Sequence, residues 1–73
     1  MSLLKRVLAE YIGITSKSQA SIWVHHQNCS EMQKRLFLQE VDYVFEGGED
    51  IFDTEEDVKD YIDMIRAGFN GDY

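Results

Sequence analysis

Apolar residues open the chain at helical spacing. Leu3, Leu4, Val7, Leu8 and Tyr11 fall on one face, while Lys5, Arg6 and Glu10 lie elsewhere, so residues 2–12 are predicted to form a helix. Gly13 then sits where a helix end wants a residue that tolerates positive φ. The next five residues, Thr15 to Gln19, are polar and read as a loop. From Ala20 to Gln27 the pattern changes, because Ile22, Trp23 and Val24 favour a strand. Alternation places Ile22, Val24 and His26 on one face, with Ser21, Trp23 and His25 on the other. A turn follows at Asn28 to Glu31. The run from Lys34 to Phe45 is predicted as one long strand, or two with a bend near Glu40. Gly47-Gly48 suits a hairpin turn, and Ile51-Phe52 a short third strand.

The middle of the chain has a helical alternative. Ser30 can cap a helix with Gln33 in the capping-box position, and Gly47 can end it. Against this, Val41-Asp42-Tyr43-Val44-Phe45 is a poor helix former. The C-terminal pattern has no such ambiguity. Asp53 or Thr54 caps a helix reaching Ala67; Glu55, Glu56 and Asp57 fill its first turn, and Arg66 its last. Val58, Tyr61, Ile62 and Ile65 follow the i, i+3, i+4, i+7 template, and Gly68 ends the run. The expected fold is a single α+β domain over residues 1–73: two layers, with an N-terminal helix, a small antiparallel sheet or hairpin, and a C-terminal acidic amphipathic helix. The alternative is all-α and helix-turn-helix-like.

Composition narrows the class. The nine aromatics make the chain too apolar for a disordered one. The longest apolar runs are three residues, far short of a membrane span. Cys29 is the only cysteine, which excludes an internal disulfide and points to a reducing, cytoplasmic setting (the host cytoplasm, if the protein is phage-encoded). The net charge of −7 is unevenly spread. Residues 1–39 hold five Lys and Arg against Glu10 and Glu31, or +3; residues 40–73 hold twelve Asp and Glu against Lys59 and Arg66, or −10. Phosphates are repelled by the second half, so it is not a nonspecific nucleic-acid binder. Acidity of this kind also serves solubility.

Three constellations invite a chemical reading. His25, His26 and Cys29 include metal-binding and nucleophilic residue types, but adjacent histidines point apart on a strand and sit about 100° apart on a helix. Gly47-Gly48 has the glycine content of a phosphate cradle, but Glu46, Glu49, Asp50 and Asp53 surround it and would repel the anion. Glu49, Asp50 and Asp53 lack the ligand spacing of a calcium loop. No cofactor, metal or catalytic residue is therefore expected. Residues 8–24, with Ala9, Gly13, Ile14 and Ala20-Ser21-x-Trp23, resemble the helix-turn-helix of phage repressor-type domains, although Gln19 stands where that motif buries an apolar residue. That resemblance implies a DNA-binding regulator using Lys17, Lys34 and Arg35.

The acidic stripe is the main clue to function. Asp53, Glu56, Asp57, Asp60 and Asp63 fall on the helix face opposite Val58, Ile62 and Ile65, with neighbours about 5–6 Å apart at Cβ. Such a row can occupy a groove lined with Lys and Arg. Capping and the helix dipole explain the first-turn acids but not Asp60 and Asp63. Glu46, Glu49 and Asp50 extend the patch, with Asp72 beyond; Tyr43, Tyr61, Phe69 or Tyr73 are candidate aromatic anchors. In size, charge and lack of catalytic apparatus, above all over residues 42–72, the chain resembles small phage-encoded DNA-mimic inhibitors of the anti-CRISPR and antirestriction type. The resemblance implies a non-enzymatic inhibitor of a basic nucleic-acid-binding protein (a Cas effector, nuclease or polymerase), without direct contact to nucleic acid or membrane. A homodimer is compatible with it, and a structural or subunit-interaction module is a further alternative.

Overall fold

A computed structural model describes residues 2–49 and 51–68. Among these residues the chain is helical throughout its regular structure. The order is α1 (Leu3–Tyr11), α2 (Lys17–His25), α3 (Glu31–Phe45) and α4 (Glu55–Arg66). The expected α+β fold is thus overturned: no strand or sheet occurs among the described residues, and the all-α alternative fits the class.

All four helices start in the same way. Ser2, Ser16, Ser30 and Thr54 each stand at an N-cap, and each side-chain oxygen accepts the N–H three residues on, from Lys5, Gln19, Gln33 and Asp57, at 3.2 Å. Such a cap is worth about 1 kcal/mol. At α2 the Gln19 side chain also reaches back, its Oε1 accepting from the Thr15 N–H at 2.7 Å and from Thr15 Oγ1 at 3.0 Å. What reads as a polar loop is a capped first turn.

Gly47 is the second correction. Its φ of +99° follows the last turn of α3; its N–H donates to the Val44 carbonyl at 3.2 Å, and the Gly48 N–H to the Tyr43 carbonyl at 2.9 Å. This is the glycine-terminated helix end that satisfies otherwise unpaired carbonyls, not a hairpin. With both ends capped, the Lys34 to Phe45 run joins one fifteen-residue helix, and Ile51-Phe52 belongs to the loop before α4.

Tertiary burial outweighs the weak propensities of the middle segment. Phe37, Val41 and Val44 of α3 are buried, as are Ala20 and Val24 of α2. Burying a Val or Phe side chain is worth about 1.5–3 kcal/mol, whereas an unfavourable helix propensity costs at most about 0.7 kcal/mol per ordinary residue. The apolar run Ile22-Trp23-Val24 wraps too far around α2 to be covered on one side, so Ile22 is left exposed.

The core collects Leu4, Val7 and Leu8 of α1, Val58, Ile62 and Ile65 of α4, the α2 and α3 residues above, and Ile14 and Cys29 between helices. Through it runs an aromatic series. Trp23 lies 5.3 Å from Phe37, Phe37 6.3 Å from Tyr61, and Tyr61 5.4 Å from Phe52, centroid to centroid. α2 packs on α3, and α1 packs on both α3 and α4. No helix among the described residues is long and apolar enough to cross a membrane.

Phe37→Ala removes the middle of the aromatic series, at a cost of about 3–5 kcal/mol. That equals what a core of this size typically supplies, so circular dichroism is expected to find the variant largely unfolded at room temperature. Burial is also the main reason that the Tyr61 phenol is pushed up to about 12, helped by the nearby Glu40 charge and partly opposed by a hydrogen bond from Gln33. The folded state then holds this proton more tightly than the unfolded chain, whose phenol titrates near 10. Its stabilising contribution is complete below pH 10 and lost as pH rises toward 12. A melting-temperature series over that window should fall for the wild type and flatten in Tyr61→Phe.

Candidate functional site

α4 sorts its charges by direction. Val58, Ile62 and Ile65 point inward. On the flank turned to α1, Glu55 is ion-paired with Arg6, which also stands 3.5 Å from Glu10. Further along that flank, Tyr11 Oη donates to Asp63 at 3.0 Å to Oδ1 and 3.3 Å to Oδ2. Lys59 and Arg66 lie over the Tyr11 ring at 5.8 and 5.7 Å, and Arg66 Nη1 is 3.5 Å from Asp63. The Asp63 carboxylate raises the Tyr11 phenol above its ordinary value, chiefly through the hydrogen bond and then through desolvation. Asp63 is therefore part of the α1–α4 contact.

The outward side is different. Asp53, Glu56, Asp57 and Asp60 are exposed, and none has an ion pair with a described residue. Asp53 precedes the cap Thr54 and so stands outside the helix, whereas 56–60 and 57–60 are helical pairs three or four apart that each repel by a few tenths of a kcal/mol. The dipole at the helix start offsets this for Glu56 and Asp57, which lie in its first turn. It does not reach Asp60. This leaves a short row of unneutralised carboxylates, held at fixed spacing by a helix whose other side is locked in the core.

The other residues expected in the patch are scattered. Glu46 lies at the end of α3 and shares Lys17 with Asp42, each 3.6 Å from Nζ. Glu49 lines a cleft of about 410 Å³ with Ser2, Lys5, Gly47, Gly48 and Phe52. Asp50 and Asp72 lie outside the described residues, as do Phe69 and Tyr73. Of the remaining candidate anchors, Tyr61 is packed between Phe37 and Phe52, whereas Tyr43 is exposed on α3.

The residues of the rival chemical readings are also separated. Cys29 is buried, and His26 Nδ1 is 2.8 Å from the Ile22 carbonyl at the end of α2. No three His, Cys, Asp or Glu among the described residues stand close enough to hold a metal ion. The basic residues needed by a DNA-binding reading are mostly engaged: Lys17 by Asp42 and Glu46, and Lys34 by Glu31 at 3.7 Å. α2 packs chiefly on α3, whereas the helix-turn-helix reading pairs it with α1.

Arg6, Tyr11, Lys59 and Arg66 form a group that sequence reasoning misses. Only the i, i+4 spacing of Arg6 and Glu10 hints at it; the Tyr11–Asp63 contact spans 52 residues and leaves no local trace. The chain matches no protein-family model, no curated protein and no solved structure.

Two kinds of carboxylate on one helix should separate in stability measurements. Asp63→Asn and Tyr11→Phe are each expected to lower the melting temperature by a few degrees. The double variant should lose less than the two singles added, because they remove the same contact. Asp60→Asn should leave the melting temperature unchanged or slightly raised, through relief of repulsion.

Proposed function

We propose that the protein is a non-enzymatic binding protein whose α4 carboxylate row docks on a basic, nucleic-acid-binding surface of a partner protein and blocks it, in the manner of anti-CRISPR and antirestriction DNA mimics. The observation that carries the reading is the exposed series Glu56, Asp57 and Asp60, without internal counter-charge among the described residues, on a helix anchored by Val58, Ile62 and Ile65, with exposed Asp53 just before its cap. Glu56 to Asp60 spans about 6 Å of helix rise, and neighbouring carboxylates stand at a separation near that of successive phosphates on one strand. A rigid row of this kind presents negative charge without an ordering cost at the moment of binding. Complementary charge would chiefly speed encounter and select the partner.

The positive half of the sequence does not compete for the role. Of its five cations, Arg6, Lys17 and Lys34 are bound to the protein's own carboxylates, so a basic surface is largely consumed in the fold. Asp63 is similarly engaged by Tyr11, which moves the centre of the face toward Glu56, Asp57 and Asp60.

The test is a competition assay with purified Cas effectors, restriction nucleases and a bacterial RNA polymerase, each bound to a labelled duplex. The wild type should displace duplex from at least one of them, less effectively as salt rises. Glu56→Lys/Asp57→Lys/Asp60→Lys should lose on the order of tenfold or more in affinity while staying folded, its melting temperature lowered by several degrees because lysines replace two first-turn acids. Undiminished inhibition by that folded variant, or affinity indifferent to salt, would overturn the reading.

A further inference from the structure

α3 carries a second exposed feature, independent of the acidic row. Met32, Leu36, Gln39 and Tyr43 all face outward, and the three apolar ones are 69%, 46% and 59% exposed. Their intervals are four, three and four residues, the two-in-seven seam by which one helix packs along another. The helix's own buried set, Gln33, Phe37, Val41 and Val44, is turned into the core and does not include them. Tyr43 is held in place from below, since a Cβ at Gly48 would stand 2.5 Å from its ring. A four-position seam on a helix already fully packed on its inner side is more than the fold requires.

The charges beside this seam say what fits it. Arg35 and Asp42 each precede a seam residue, Leu36 and Tyr43, and so share one flank, seven residues apart. Among the described Lys and Arg residues, Arg35 is the one with neither an ion pair nor an aromatic ring contact. In an antiparallel pair of such helices this flank meets itself. Arg35 then faces Asp42 of a second copy, and the two-fold axis repeats the contact. The same register lays Met32 on Tyr43 and Leu36 on Gln39, again twice. A parallel pair would instead bring together the two C-terminal ends of α3, each carrying Asp42, Glu46 and the acidic loop. The antiparallel pair sets the half with Lys34 and Arg35 against the half with Asp42 and Glu46, and opposes the helix dipoles.

We propose that α3 is a homodimer interface, pairing antiparallel with α3 of a second copy through Met32, Leu36, Gln39 and Tyr43 and through reciprocal Arg35–Asp42 ion pairs. The contact is isologous, as a two-fold dimer demands. A seam of this length belongs to the weak, concentration-dependent class of interfaces. It rests on α3 and not on α4, so it stands or falls apart from the proposed inhibitory role.

Sedimentation velocity of the full chain over a wide concentration range tests it. The wild type should shift from the mass of one chain toward two. Leu36→Lys should stay at one chain throughout, with the wild-type melting curve at low concentration. Arg35→Asp and Asp42→Arg should each weaken dimerisation by roughly tenfold or more, since each puts like charges across the axis. Mixed in equal amounts, they should recover a dimer, because each variant supplies the charge that the other lacks. Should Asp42→Arg melt early through loss of its contact with Lys17, Leu36→Lys and Arg35→Asp carry the test. A wild type that stays at one chain at every concentration overturns the proposal. So does association undiminished in Leu36→Lys or Arg35→Asp, or an equimolar mixture of folded variants that fails to associate.

Discussion

The burial of Phe37 between Trp23 and Tyr61 is the contact on which the other packing depends. Helices of nine to fifteen residues are marginal or unstable alone in water, so each of the four needs a tertiary partner to exist. Phe37 supplies one to two neighbours at once. Trp23 ties α2 to it and Tyr61 ties α4, with Phe52 of the loop before α4 against Tyr61. α1 adds Leu4, Val7 and Leu8 to the same core and packs on both α3 and α4. Because this core holds α3 in helical form, residues that favour strands are carried along with it.

Charge follows from the same packing. The basic and acidic halves of the sequence meet at two of the helix contacts: Arg6 with Glu55 between α1 and α4, and Lys17 with Asp42 and Glu46 between α2 and the C-terminal end of α3. These are partly exposed pairs that add little to stability individually. Their consequence is subtraction. With most cations matched internally, Glu56, Asp57 and Asp60 remain without counter-charge among the described residues on the outer side of α4. Arg35, left over on α3, is the exception, and it lies beside an apolar seam.

The candidate site is legible in the sequence to the extent that it depends on one helix. The periodicity of Val58, Ile62 and Ile65 dictates that Glu56, Asp57 and Asp60 point outward, whatever the rest of the chain does. Asp63 shows the limit of that reasoning. It sits at the right angle for the stripe, but Tyr11 and Arg66 claim it, and Tyr11 arrives from the other end of the chain. Glu46 is near the stripe in sequence but not in space. The end of α3 and the Lys17 contact place it elsewhere.

Much of the fold is written in caps and periodicity. α1 and α4 can be read almost to the residue, because each combines a clear apolar face with a Ser or Thr start and a glycine stop. The same starts stand before α2 and α3, in Ser16-x-x-Gln19 and Ser30-x-x-Gln33, but there the side-chain pattern speaks for strands. Ile22-Trp23-Val24 and Val41 to Phe45 have the β-branched and aromatic content of a sheet, and propensity is judged residue by residue. What decides between the two is whether those side chains find a common core. By itself the sequence determined where α1 and α4 run, which face of α4 is acidic and how unequal the two halves are in charge. Only the tertiary structure decided that the middle is helical and which charges are neutralised. Both depend on contacts between residues far apart in the chain, where burial worth several kcal/mol overrides local preferences of a few tenths.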